Sequence, residues 1–419
     1  MTTPLTGTSP IPRITRRRWL ILASATAGVV AAACGGSTPA AKPTEAPKPA
    51  EAPKPTTAPA AAASPAAGAS PAAAAASPAA SPAAGASPSA GASPAASPAA
   101  QAAPTGGAAT AKPSSTVAAS MVTNWFGQSS QGGFFAARKN GRYKDQNLDM
   151  TVDQGGPQVT PIPLLASGKY TFAMTSAEQV LLGRAEGVPL VMVYGTFQRN
   201  PQGLMYHASH PVKDFPDLNG RKVYVSGAGT FWQVLTKKYN LDNVQQFQYN
   251  GQLATFLADE ENVFQCFVTS EPVILKSQGK DVGYLVNADS GFNPYQNAMV
   301  TLEKTIKEQP DLVQAYVTAS LQGWNDYVKE PKPVLEFIKS DYAKELNLDT
   351  EMLTFASERD GFLTGKDGFD AKKLGLLDDA RFKDLYDLIR GLGVLTKDID
   401  YKAAFDSSFI TKAHAALGM

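Results

Sequence analysis

Aromatic and carboxamide residues cluster where short apolar runs of this chain end, and together they could grip a flat polar molecule. Asn124, Trp125, Phe126 and Gln128 sit at the end of the run 118–125. Thr175 and Ser176 close 172–175, and Tyr194, Phe197 and Gln198 follow 189–194. Tyr249 and Asn250 close 245–249, and Thr269, Ser270 and Glu271 follow 263–268. Rings at such positions offer offset stacking to a heteroaromatic molecule. Asn124, Gln128, Gln198, Asn250 and Glu271 would fix its edge by hydrogen bonds. Phe135 reads as core, whereas Trp125 and Trp232, at loop openings, suit core and site alike.

The segment Ser226-Gly227-Ala228-Gly229-Thr230 precedes a helical stretch, so its N–H groups could hold an anion with help from the helix dipole. It reads equally well as a glycine-rich turn that caps a helix. Phe231 and Trp232 follow at once, which favours a ring over a charged head group.

Bond-making chemistry has little support. The only histidines are His207, His210 and His414, too scattered for a metal site or a Ser/His/Asp constellation. No H-E-x-x-H, Walker A loop or C-x-x-C occurs. The chain therefore reads as a binder rather than an enzyme, with no cofactor and no metal. Net charge is +1, and no basic patch interleaved with aromatics stands out, so nucleic acid is not an expected partner.

The elements that position these residues alternate. Strands are expected at 118–125, 148–152, 172–175 and 189–194, with helices at 132–141, 161–167 and 177–186 between them. That order predicts a parallel sheet flanked by helices. A second series follows, with strands at 222–225, 245–249, 263–268 and 283–286 and helices at 232–239 and 253–259. From Thr305 the chain is helical, over 312–328, 334–342 and 378–392, the last capped by Asp378. The fold class is α/β in two successive lobes. In open sheets of this kind ligands bind beyond the carboxyl ends of the strands, where the residues above lie.

The stretch from Asn124-Trp125-Phe126-Gly127-Gln128 through 132–152 resembles the opening of a solute-binding protein family. That family serves ABC importers of nitrate, sulfonates, thiamine-pyrimidine precursors and riboflavin. The likeness continues in 217–226, in Val268-Thr269-Ser270-Glu271-Pro272 and in 289–295, and spans nearly all of 118–330. The resemblance implies a type II-like clamshell of two lobes joined by two crossing strands, with solute trapped between them. Lobe one would be about 118–205 plus 297–419, with the helical tail packed on it, and lobe two about 206–296. The crossings would be 203–208 and 296–302. It also implies an ABC permease as partner and a small solute as ligand, and the sequence looks most like the riboflavin-binding branch. A thiamine-pyrimidine precursor is the alternative, then a sulfonate or nitrate, whose charged head the family holds near 226–230. A sensory or scaffold envelope lipoprotein using the same clamshell stays open. Eukaryotic relatives that build the thiamine pyrimidine need a cysteine-rich motif and an active-site histidine, and neither is present.

The chain's first 115 residues point to a location. Arg16, Arg17 and Arg18 precede an apolar run of signal-peptide length that ends in Ala31-Ala32-Ala33-Cys34. This is the layout of a lipoprotein signal over 1–33, with lipid carried on Cys34, and the segment 15–20 also resembles a twin-arginine export signal. An ordinary secretory signal with Cys34 incidental, or a short membrane anchor, are the other readings. Ala, Pro, Ser and Gly then dominate 34–115, too poor in large apolar residues to form a core. A flexible tether of that length reaches roughly 50 Å. The expected whole is a solute-binding domain over 116–419, held on the extracytoplasmic face of the cell membrane. With Cys34 lipidated, Cys266 has no disulfide partner.

Overall fold

A computed structural model describes residues 111–419, except Pro157 and Ala228. The readings for 1–33, for Cys34 and for 34–110 lie outside the described residues. Within 111–115 the chain already touches the domain. Lys112 Nζ donates to Asp145 O at 2.9 Å, and Asn147 Nδ2 donates to Pro113 O at 2.7 Å.

Two five-stranded sheets organise the rest. The first is built from β1 (Val117–Val122), β2 (Leu148–Asp153), β3 (Phe172–Thr175), β4 (Leu190–Phe197) and β10 (Gln296–Leu302), in the order β2-β1-β3-β10-β4. The second holds β5 (Gln202–His207), β6 (Lys222–Val225), β7 (Gln245–Gln248), β8 (Asn262–Phe267) and β9 (Val282–Val286), in the order β7-β6-β8-β5-β9. Helices α1 (Gly132–Lys139), α2 (Arg142–Asp145), α3 (Pro161–Ala166) and α4 (Ala177–Ala185) connect strands of the first sheet. Helices α5 (Thr230–Tyr239), α6 (Leu253–Leu257) and α7 (Glu271–Ser277) do so in the second. The tail adds α8 (Glu303–Glu308), α9 (Pro310–Lys329), α10 (Pro331–Asp341), α11 (Leu348–Gly361), α12 (Asp379–Gly391) and α13 (Ser408–Leu417).

Local sequence explains most of these elements. In β2, Leu148, Met150 and Val152 are buried while Asp149 and Thr151 face water, the period-two pattern of a half-covered strand. All eight residues of β4 are buried although it ends its sheet. The tail covers that edge: Gly195 N donates to Gly375 O at 3.1 Å, and Asp406 N donates to Met192 O at 2.9 Å. Asp378 accepts from Arg381 N at 2.8 Å and caps α12 as expected. Glycines let α1 and α9 meet closely. A Cβ on Gly323 would lie 2.3 Å from Gly133 O, and one on Gly133 would lie 2.1 Å from the Trp324 ring.

The sheets are mixed rather than parallel. β10 runs antiparallel between β3 and β4, and β5 antiparallel between β8 and β9. A parallel strand must return by a crossover within its own sheet. β10 instead arrives from the other lobe, and a strand-by-strand reading does not show which slot it fills. The segments expected as crossings are themselves sheet strands, since 203–207 belongs to β5 and 296–302 is β10. The chain passes between sheets at 198–201 and 291–295.

Both passages are braced by the tail. Gln198 N donates to Leu363 O at 3.3 Å and Arg199 N to Phe362 O at 3.0 Å. At the second passage Arg381 Nε donates to Asn293 O at 3.0 Å, and its guanidinium lies 3.7 Å from the Tyr295 ring centre. The passages also hold one another, since Asn200 N donates to Asn293 Oδ1 at 2.8 Å, and Arg199 pairs at 2.7 Å with Asp289 in the turn just before the second passage. The bend points of a clamshell are thus defined on both sides.

Candidate functional site

A cavity of about 200 Å³ lies between the two sheets. Lobe one lines it with Asn124, Trp125, Gln128, Gln131, Gln296 and Asn297. Lobe two contributes Gln202, Tyr249, Gln265, Cys266, Phe267, Ser270 and Glu271. β1, β7 and β8 point their carboxyl ends at this rim, so the residues that follow them converge there. β5 and β10 run antiparallel to their neighbours, so it is their first residues, Gln202 and Gln296, that reach the same rim.

The lining has one dominant chemistry. Seven of its side chains are carboxamides: Asn124, Gln128, Gln131, Gln202, Gln265, Gln296 and Asn297. Among the described lining residues none is cationic, and Glu271 is the one carboxylate. Glu271 opens α7, and its carboxyl accepts from Phe267 N at 2.9 Å and from the Tyr249 hydroxyl at 3.2 Å. Burial pushes this carboxyl above its usual range, an effect those hydrogen bonds only partly offset. Burial, reinforced by Glu271, also pushes the Tyr249 hydroxyl up. Cys266 is held as a thiol by burial and the nearby carboxylate, so it is no activated nucleophile.

On the lobe-one side the amides are fixed from behind. Asn124 Nδ2 donates to Asn297 Oδ1 at 3.1 Å, and Asn297 Nδ2 donates to Ser130 O at 3.0 Å. Ser129 and Ser130, just ahead of α1, are held by two buried carboxyls of α11. Ser129 N donates to Glu351 at 2.7 Å and Ser129 Oγ to Glu358 at 2.6 Å, while Ser130 Oγ also donates to Glu358. Burial raises Glu351 to about 7 and Glu358 to about 8.

Of the residues singled out in the sequence, Asn124, Trp125, Gln128, Tyr249 and Glu271 line the cavity. Phe126 is 46% exposed and packs edge-on against Trp125, with ring centres 5.6 Å apart. Tyr194 is core, edge-on to Phe134 at 5.8 Å with its hydroxyl unpartnered. Trp232 is buried and donates from Nε1 to Gln246 Oε1 at 2.8 Å, away from the cavity lining. Gln198 spans β4 and the tail, donating to Gly195 O and Leu376 O, each at 3.0 Å. Ser176 Oγ donates to Glu178 at 2.6 Å, and Thr175 beside it is buried. Thr269 is fully buried, and Asn250 ties its own loop to Gln252 N and Thr255.

The glycine-rich segment does not line the cavity either. Ser226 N donates to Gln265 Oε1 at 2.6 Å, Gly227 is exposed, and Thr230 Oγ1 accepts from Gln179 of lobe one at 2.7 Å. The sequence reading missed Gln202, Gln296 and Asn297 because it looked only beyond strand ends, whereas these antiparallel strands present their first residues there. It also missed Gln131, which ends the turn before α1, and Gln265, which lies within β8.

The family model described as NMT1/THI5 like matches residues 128–333. Over that span, just under half of its length, the chain matches this family. It is 26% identical over 292 residues to the riboflavin-binding protein RibY of Chloroflexus aurantiacus, covering 66% of this chain and 81% of that one. The formylaminopyrimidine-binding protein of Halalkalibacterium halodurans is 22% identical over 229 residues, covering 52% of this chain and 68% of that one. The alkanesulfonate-binding protein SsuA of Xanthomonas axonopodis superposes with a TM-score of 0.55 at 12% identity, covering 70% of this chain and 99% of that one. This last likeness shows the fold, that of a periplasmic binding protein with two lobes. The NMT1/THI5-like chain is accordingly a solute-binding protein. Yeast pyrimidine phosphate synthases also match, at 28% identity over 30% of this chain.

Proposed function

We propose that this protein captures riboflavin and delivers it to an ABC permease. The carrying observation is the lining itself: seven carboxamides around Trp125, Tyr249 and Phe267, with no cation among the described lining residues. A sulfonate or nitrate calls for compensating positive charge or free N–H groups. Here the N–H of Ser226 is already engaged by Gln265. A flavin instead offers faces for stacking and carbonyl and N–H edges for amides. The similarity to RibY supports the same reading. A thiamine-pyrimidine precursor is the second reading, favoured by Glu271, whose carboxylate suits an aminopyrimidine edge, and by the similarity to the formylaminopyrimidine binder.

In this reading solute binds to one lobe of an open form, and the lobes then close about 198–201 and 291–295. Closure is a population shift limited by the solute's differential affinity for the two forms. Lipid on Cys34 holds the protein on the outer face of the membrane, and 34–115 serves as the tether to the permease. Permease and ATPase genes beside this one would favour transport over a sensory or scaffold role.

The direct test adds riboflavin to the purified protein and follows flavin fluorescence. Quenching at submicromolar concentration is expected, corresponding to roughly −8 kcal/mol or better. No quenching, together with thermal stabilisation by a sulfonate, refutes the flavin reading.

A further inference from the structure

We infer that Asn297 is a positioning residue that makes Asn124 a hydrogen-bond acceptor towards the solute, so that the solute must donate at that point. The inference rests on the solute-binding reading of the cavity, and hydrogen-bond polarity carries it. Ser130 O is a backbone carbonyl and can only accept. The end of the Asn297 side chain that faces it, 3.0 Å away, is therefore the amide nitrogen. That leaves Asn297 Oδ1 as the end facing Asn124, and an oxygen there requires the Asn124 nitrogen opposite, at 3.1 Å. Asn124 Oδ1 is then the free end of the relay, and it is buried with no partner in the protein.

The relay has no freedom to reverse. Asn297 is fully buried, and Thr196 Oγ1 donates to its carbonyl oxygen at 2.7 Å. Its φ is +52°, a left-handed conformation that Asn adopts more readily than other non-glycine residues. Ser130 in turn is held through its hydroxyl by Glu358. A solute that places an acceptor against Asn124 Oδ1 would leave two oxygens opposed in a buried site. Discrimination of this kind is strong, because the site's own polar group stays unpaired with the wrong ligand.

Riboflavin donates from only two places, the ring N3–H and the ribityl hydroxyls. The test compares riboflavin, 3-methylriboflavin and tetraacetylriboflavin on the wild type and on Asn297→Gly, which tolerates the positive φ and deletes the relay. The wild type is expected to weaken by roughly tenfold or more for one analogue, as for loss of a hydrogen bond to a buried acceptor. In Asn297→Gly that discrimination falls to about threefold or less, because Asn124 is free to turn and offer its nitrogen. A purely steric rejection of the analogue, or a general loss of packing, would leave the ratio unchanged and overturn the inference. So would a wild type that binds all three flavins alike. If riboflavin itself fails to bind, the flavin reading falls while the relay is decided by neutron diffraction of the deuterated protein. Deuterium on the Asn124 atom facing Asn297 supports the relay, and its absence there refutes it.

Discussion

Gln179 of α4 donates from Nε2 to Thr230 Oγ1 of α5 at 2.7 Å, a hydrogen bond from one lobe to the other outside the cavity lining. It stands beside a second link, in which Lys237 Nζ donates to Leu392 O at 3.0 Å and Gly393 O at 2.9 Å, just past the carboxyl end of α12. Both bonds run from one lobe to the other, so under the proposed clamshell closure they favour the closed form without touching solute.

Gln179→Ala is therefore expected to weaken solute binding by about 0.5–1.5 kcal/mol, the net value of one such hydrogen bond. The loss should fall mainly on the dissociation rate, measured by stopped-flow fluorescence. Thr230→Val should behave alike, and the double variant should be no worse than either single one if the two residues act only on each other. Additive losses would show that they stabilise closure by separate means.

Tyr194→Phe separates core from site. The hydroxyl is buried without a partner, and burial pushes its ionisation well above the usual range. Removing an unsatisfied buried hydroxyl should leave stability unchanged or raise it by up to about 1 kcal/mol. Solute affinity should not move. A fall in melting temperature would mean that the hydroxyl has a partner, such as a buried water, and a fall in affinity would return Tyr194 to the site.

Much of this architecture was legible in the chain because apolar periodicity and capping residues were strong where they mattered. The strands at Phe172–Thr175 and Lys222–Val225 fall where the pattern put them, and α12 starts at its Asp378 cap. α11 was invisible for a physical reason: its buried face carries Glu351, Thr354 and Glu358 beside Phe355, so a helical spacing exists but is not apolar. Tyr194 and Trp232 misled because a buried ring at a strand end or helix start has the same sequence context as a ring in a cleft. Gln202 and Gln296 were hidden by topology, since a residue at the start of a strand reaches the cleft only if that strand runs antiparallel.

The buried carboxyls make stability depend on pH in a direction that can be worked out. Burial raises Glu358 to about 8, and Glu351 and Glu178 to about 7. In the unfolded chain a glutamate loses its proton near about 4.3. Between these limits the native state holds more protons than the unfolded state, so stability falls as pH rises through the window and levels off above it. Each such proton contributes a slope of about 1.4 kcal/mol per pH unit at most. Melting temperatures taken from pH 5 to 9 should decline accordingly, and Glu358→Gln should decline less. A wild-type melting temperature independent of pH in that range would show that these groups are not held protonated.

Trp125 and Trp232 give opposite outcomes in a paired experiment. Trp125 is half-buried at the cavity wall, whereas Trp232 is 3% exposed and bonded to Gln246 within lobe two. Trp125→Ala should cost about 1–3 kcal/mol of solute binding, by analogy with loss of base–aromatic stacking, and move the melting temperature little. Trp232→Ala should cost about 3–5 kcal/mol of stability through the cavity it leaves, with affinity per folded molecule close to wild type. Titration of each variant together with its thermal unfolding separates the two effects. If Trp232→Ala stays stable and loses binding, α5 belongs to the site and the cavity must extend past Ser226.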